Sequence, residues 1–338
     1  MESKGLCAIL MAVMIGVVTG PAMGADWYVD PINGSDSNGG TSWEDAWKTL
    51  SYACYRTKNT GTEDDPCILH AGAGVYSPST NGEDFPIQFE QGTWSSADYR
   101  LGSIIGAGPG ETILNPENSN WGFRTIGEGI TISDLTIVNS HGHGIYATIL
   151  SPGPSKITLE RCVIKDNAWG GALKVCDPGT VVLIDCVITG NVCHGSVSRG
   201  GAVEMGIWQD LNMTNCLVAN NTVHHAGQNG GGIVLESYTH TTITNCTFVG
   251  NTHGIYAHAS CYYLRLYNCI LWGNDDDIKL HAGGIIPEIY HCNISDGDGC
   301  GENGNICEDP LFVSGPQGDY YLSHAGVNSK KKEQKKAK

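Results

Sequence analysis

Residues 241–251 read TTITNCTFVGN, and the same pattern recurs as ITLERCVIKDN (157–167), VVLIDCVITGN (181–191), LNMTNCLVANN (211–221), LRLYNCILWGN (264–274) and PEIYHCNISDG (287–297). A seventh copy, ITISDLTIVNS (130–140), carries Leu135 where the others carry Cys. The aligned column is Leu135, Cys162, Cys186, Cys216, Cys246, Cys269 and Cys292, with spacings of 27, 24, 30, 30, 23 and 23 residues. A unit that recurs at this length is one layer of a stacked array.

Inside each unit the apolar residues alternate with polar ones, which is the period of a strand. Ile243, Cys246 and Phe248 face one way, and Thr242 and Thr244 the other. The phase breaks just before the cysteine, so two short strands meet at a corner near Asp134, Arg161, Asp185, Asn215, Asn245, Asn268 and His291. A third strand follows a glycine at GIYA (144), GALKV (171), GAVEM (201), GIVLE (232) and GIYAH (254), where the chain is expected to turn tightly. Asn167, Asn191, Asn221, Asn251 and Asn274 stand five residues after the cysteines, a second corner where a side-chain amide can bond its neighbour. Three strands per turn with apolar faces inward predict an all-β solenoid, a single-stranded parallel β-helix of about nine or ten coils.

On these columns the chain resembles the right-handed parallel β-helix proteins of the pectin-lyase-like class, over roughly residues 26–322. The opening WYVDPINGSDSNGGTSWEDAWKTLSYA is similar to the N-terminal cap of secreted members. There Ser42 is expected to cap a helix, with Asp45 completing a variant capping box and Trp43, Ala46, Trp47, Leu50 and Cys54 on its apolar face. The expected organisation is a signal peptide at 1–24, an N-terminal cap at 25–60, the β-helix at 61–323 and a disordered basic tail at 324–338. The segment DPLFVSGPQGDYYLS (309–323) is similar to a closing segment after which such chains usually continue, so a truncated end or a fragment of a larger exported chain is one reading.

The export signal is read from Lys4, the apolar run Leu6–Val18 and the small residues Ala22-Met23-Gly24, with cleavage before Ala25 or Asp26. That run is too short to span a bilayer. The chain has 46 Gly in 338 residues without a collagen period, and a net charge of −16. The tail KKKEQKKAK (330–338) is +5, which leaves −21 for the rest. Such a body carries no basic footprint for nucleic acid. The expected partner is an extracellular polysaccharide, met by a secreted or surface-attached monomer with no membrane span. Inward cysteines on stacked strands read as buried free thiols. Cys54 with Cys67, and Cys300 with Cys307, are the disulfide candidates.

The resemblance implies a groove on an outer strand face and two chemistries: lyase or epimerase action through a base and Ca²⁺ or Arg, or hydrolysis through paired carboxylates. Lys174, Glu204, Glu236, His258 and His281, at the outward ends of third strands, with Arg199, are the candidate catalytic set. Trp169, Trp208, Tyr238 and Tyr256 are the candidate carbohydrate-stacking rings, alongside Tyr146 and Trp272. His141, His143, His194, His224, His225 and His253 collect before the third strand, where imidazoles could hold a transition metal or shuttle protons. The Asx-rich loops at Asp30, Asn33, Asp36 and Asn38, and at Asp296 and Asp298, are candidate Ca²⁺ ligands, although turn chemistry alone accounts for them. Short signatures of β-helix enzymes are missing: there is no R-x-P-x-x-R or D-P-H-D run, and Gly142-His143-Gly144 with Asp275-Asp276-Asp277 stands in reversed order. A non-catalytic glycan-binding or matrix module is therefore the rival expectation.

Overall fold

A computed structural model describes residues 26–57, 66–90, 101–126, 129–148, 156–176, 178–194, 200–224, 230–315 and 318–322. The expected signal peptide, the lysine tail, Arg199 and His225 lie outside the described residues. The chain winds through three parallel sheets of ten, nine and ten strands, and ends in a two-stranded antiparallel hairpin. In one representative coil, Lys156–Glu160 belongs to sheet 1, Val163–Lys165 to sheet 2 and Ala168–Val175 to sheet 3. Each strand pairs in register with its counterparts one coil away. Leu159, for example, lies between Ile132 and Leu183.

The first corner has a backbone cause. Asp134, Arg161, Asp185, Asn215, Asn245, Asn268 and His291 all adopt left-handed φ of 50–59°. One left-handed residue between two strands shifts the alternation, so the next side chain points inward. That residue is the column cysteine. Cys162, Cys186, Cys216, Cys246, Cys269 and Cys292 are buried, and each thiol donates to the carbonyl two residues earlier at 3.3–3.4 Å. Outside the coil, Arg161 bridges to Asp134 of the preceding coil with nitrogen–oxygen distances of 2.6 and 2.7 Å.

The asparagine column fills the second corner. Asn167, Asn191, Asn221 and Asn251 are buried, and their amides form a continuous chain at 2.9–3.0 Å that runs on to Asn274. The left-handed residue at this corner is the one before each asparagine: Asp166, Gly190, Asn220, Gly250 and Gly273. The asparagines themselves supply hydrogen bonds, and their predecessors make the turn.

The glycines that open the third strands answer a second constraint besides the expected turn, since the chain bends at Gly201, Gly232 and Gly254. A Cβ on Gly232 would lie 2.0 Å from the carbonyl oxygen of Gly254, and one on Gly201 2.5 Å from that of Gly231. Successive coils approach so closely here that no side chain fits. Gly171 has a left-handed φ of 85° as well.

The N-terminal segment departs from its expected helix. The helix spans Leu50–Thr57 and does not begin at Ser42. Asp36 accepts hydrogen bonds from the amides of Lys48 and Thr49 and from the Thr49 hydroxyl, which fixes the chain before the helix. Trp47 bridges to Val29 in an extended conformation and stacks on Trp27 at 5.0 Å, while Trp43 stays exposed. The helix packs against the strands Asp26–Val29, Cys67–Ala71 and Ile87–Glu90. At the other end, the hairpin strands Phe312–Gly315 and Gly318–Leu322 return to the side of the stack, where the Tyr320 hydroxyl donates to Asn220 Oδ1 at 3.1 Å.

Cys300 and Cys307 form a disulfide, whereas Cys54 and Cys67 remain separate buried thiols. Of the eleven cysteines outside a disulfide among the described residues, Cys176 alone is not buried. In a chain lacking residues 1–24, Ellman's reagent is therefore expected to modify one thiol rapidly in the native state and the rest only in denaturant. Cys176→Ser should remove the rapid phase, and several fast thiols in that variant would contradict the buried column.

Candidate functional site

Sheet 3 carries most of the candidate residues, and the strand register sorts them. Arg124, Tyr146, Lys174, Glu204, Val234, Tyr256 and Lys279 occupy one position on successive coils. Their neighbours Val203, Met205, Ile233 and Leu235 belong to the inner core, so this column faces away from it. Leu235, Ala257 and Leu280 pair in turn. Glu236, His258 and His281 therefore form a second column, two residues further along. The catalytic set expected as one row is two separate rows.

The first row is closed. Lys174 Nζ lies 2.9 Å from Glu204 Oε1, and both side chains are largely buried, with 17% and 9% exposure. Val234 and Tyr256 are buried too, although neither belongs to the inner core. This corrects the expectation for Tyr256. Its ring is only 6% exposed, because the middle of the row is covered, and it offers no stacking face. His143 sits beside this row under Trp121 and Tyr146. Burial, reinforced by the Lys174 charge, pulls its imidazole down to about 4, so it is neutral at neutral pH. Lys279 Nζ contacts His253 Nε2 at 2.9 Å, and burial with that ammonium lowers His253 as well.

The second row is accessible. Glu236 and His258 are half-buried and His281 is exposed. The imidazoles of His258 and His281 lie 5.1 Å apart, and His258 Nδ1 is 3.0 Å from the Ser237 hydroxyl. Two residues beyond Glu236 the chain reaches the corner into sheet 1, where a ladder of rings stands. Trp208 stacks on Tyr238 at 4.3 Å, Tyr262 follows at 5.6 Å, and His240 stacks on Tyr262 at 4.7 Å. Trp208, Tyr238 and Tyr262 are 54%, 38% and 48% exposed. Trp208 and Tyr238 both hold left-handed φ of 62°, which projects the rings outward. His240 is fixed by Asp210 at 2.8 Å. Tyr262 and His240 were missed in the sequence. His240 pairs with Tyr263, so Tyr238 stands opposite Cys261 and Tyr262 is one residue out of the column, which sequence spacing alone does not give.

Trp169 lies on the opposite border of sheet 3, between His141 and His194, and is also exposed. The Asx-rich loops are filled by their own turns. Asp30 accepts from the amides of Ile32 and Asn33, and Asp296 accepts from the amides of Asp298 and Asp277. Burial together with the charges of Asp296, Asp276 and Asp277 raises Asp298. Among the described residues no group of three or more His, Cys, Asp or Glu is arranged to hold a metal ion. Among them, too, no helix is long and apolar enough to cross a membrane.

Comparisons place this architecture among known proteins. The family described as right handed beta helix region matches residues 117–223 and 206–307. No curated protein matches the sequence at a significant level. Among solved structures, the pectate lyase Pel9A superposes with a TM-score of 0.53 at 16% identity, over 87% of this chain and 84% of that one. A pectin methylesterase from carrot gives 0.39 at 12% identity, over 86% of this chain and 91% of that one. The mannuronan C-5 epimerase AlgE4 A-module of Azotobacter vinelandii gives 0.35 at 14%, over 80% and 83%. At these identities the likeness to Pel9A is one of fold. With three stacked parallel sheets on the page and the family matched over more than half of its length, the chain belongs to the right-handed β-helix family.

Proposed function

We propose that this is an exported protein that binds an extracellular polysaccharide, with the glycan lying on the aromatic corner beside the Glu236–His258–His281 row. The observation that carries the reading is the ladder Trp208–Tyr238–Tyr262, three exposed rings on successive coils. Exposed flat rings with polar groups at their rim suit the apolar faces and hydroxyls of sugars. The inner faces of Trp208 and Tyr238 cover each other. A sugar therefore meets the outer face of Trp208 and the edges of the ladder, which gives Trp208 the largest share. Asp210, Glu236 and the −21 body favour a neutral glycan over an anionic one.

Affinity electrophoresis against neutral glycans such as xylan and galactan, with pectin and alginate alongside, tests the proposal. Retardation by a neutral glycan is expected. Trp208→Ala with Tyr238→Ala should weaken it at least about tenfold, since each ring contact is worth about 1 kcal/mol. Equal mobility with every glycan would overturn the reading.

A second reading, that the same row catalyses lyase, epimerase or hydrolase chemistry, is favoured by the Ser237–His258 contact beside a carboxylate on the preceding coil. It requires new unsaturated ends absorbing near 235 nm or new reducing ends, abolished by Glu236→Gln. The closed Lys174–Glu204 pair gives that chemistry no free base in the first row.

A further inference from the structure

The histidines at the start of sheet 3 belong to neither row. His141 pairs in register with Ala168, and Trp169 with Cys193. The His194 amide donates to the Trp169 carbonyl, and the His224 amide to the Cys193 carbonyl. The result is a file of rings along one border of the sheet. His141 lies 5.4 Å from Trp169, Trp169 5.2 Å from His194, and His194 4.7 Å from His224. His194 and His224 are both exposed, and their planes are 15° from parallel. Among the described residues neither imidazole donates or accepts a hydrogen bond, and neither is in an ion pair.

Two imidazoles that stand one residue past the paired parallel strands Val192–Cys193 and Thr222–Val223 are a preset chelate. Zinc–imidazole bonds are about 2.0–2.1 Å, so two nitrogens on adjacent positions of one such ion stand about 3 Å apart. Side chains rooted on strands about 4.8 Å apart reach that separation by rotating their rings. Here both rings are at the surface, and among the described residues they make no hydrogen bond, so rotation gives up only the ring contacts of His194 with His224 and Trp169. The amide bonds from His194 to the Trp169 carbonyl and from His224 to the Cys193 carbonyl hold both backbones in advance, which lowers the entropy cost of bringing two ligands together. Two ligands leave the remaining positions to water, consistent with a weak, open, exchangeable site.

We propose that His194 and His224 form a two-histidine site for a divalent first-row transition metal, with Trp169 packed against it. Affinities at such a nitrogen site rise from Co²⁺ through Ni²⁺ to Cu²⁺ and fall again at Zn²⁺. The site is separate from the aromatic corner and stands whether or not a glycan binds there.

Titration of the full, untagged chain with CuCl₂, followed by tryptophan fluorescence and by calorimetry, tests it. A saturable partial quench reversed by EDTA is expected, and Trp169→Phe should remove that quench while leaving the calorimetric binding in place. His194→Ala and His224→Ala should each weaken Cu²⁺ binding by about tenfold or more, since the loss of a supporting contact alone costs 10–100-fold at metal sites. His70→Ala, a histidine with no second imidazole beside it, should not. Circular dichroism of each variant confirms that the coils remain folded. Binding left unchanged by both substitutions, or lost equally in His70→Ala, would overturn the proposal.

Discussion

Asn221→Ala is expected to cost about 3–5 kcal/mol of stability, since buried hydrogen-bonding groups left without partners cost roughly 1–3 kcal/mol each. Asn221 Oδ1 accepts from the Asn191 amide at 3.1 Å and from Asn191 Nδ2 at 2.9 Å. Its Nδ2 donates to the Ile188 carbonyl at 3.0 Å and to Asn251 Oδ1 at 3.0 Å. Truncation removes a bond from four groups at once inside a fully buried corner, and leaves the Asn191 amide without an acceptor, while Asn191 Nδ2 keeps the Ile164 and Thr189 carbonyls and Asn251 Oδ1 keeps the Asn221 amide. No water reaches them unless the coils part. The effect should also be local, because each layer of a solenoid contacts only its neighbours. Amides of the flanking coils are therefore expected to lose hydrogen-exchange protection before those of the first coils. Asn274→Ala provides the comparison. It accepts from the Asn251 amide and Nδ2 in the same way, but it is only half-buried at the end of the ladder. Water can replace its bonds, so its cost should be well under half that of Asn221→Ala. Equal shifts of the urea midpoint in the two variants would show that the amide chain contributes nothing beyond its individual corners.

The repeat was legible because each of its parts answers to a local rule. A strand alternates, a left-handed residue resets the phase, and a buried corner needs an amide to satisfy facing carbonyls. Asp134 through His291 were located correctly for that reason. Register was less legible. Lys174, Glu204 and Glu236 stand near the ends of similar third strands, yet pairing sets Glu204 beside Lys174 and moves Glu236 into the next row. Counting from a glycine hides the two-residue offset, because Gly200 pairs with Gly230, which sets Gly201 opposite Gly231 and not Gly232. The burial of Tyr256 was hidden for a related reason: alternation says which face a residue takes, not whether that face is covered. The ladder of Trp208 and Tyr238 was partly visible, but Tyr262 required the register of the following coil. The helix start failed because Asp36, distant in sequence from a helical pattern, fixes Lys48 and Thr49 instead.

Glu83 is the residue least visible in the sequence. It is almost wholly buried, and it accepts from the amides of Leu50 and Ser51 at 2.8 Å each, across more than thirty residues of chain. It thus caps the helix together with Thr49, whose hydroxyl accepts from the Tyr52 amide at 3.3 Å. Glu83→Ala is expected to cost about 2–4 kcal/mol, the loss of a cap that leaves the buried Leu50 amide and the half-buried Ser51 amide without their acceptors. Hydrogen exchange at Leu50 and Ser51 should accelerate most. Glu83→Gln separates charge from shape. Burial raises the Glu83 carboxyl above its ordinary value of 4.5, against the opposing pull of its hydrogen bonds. The folded chain therefore holds a proton there over a pH range in which the unfolded chain has lost it. Stability from this group is present below pH 4.5 and declines as pH rises through the folded value. Glutamine has no such slope. The stability gap between wild type and Glu83→Gln should accordingly be wider at about pH 4 than at about pH 8, read from urea midpoints at each pH. A gap that grows with pH would mean that the ionised carboxylate is favoured at the helix terminus, and that the amides of Leu50 and Ser51 outweigh the cost of burial.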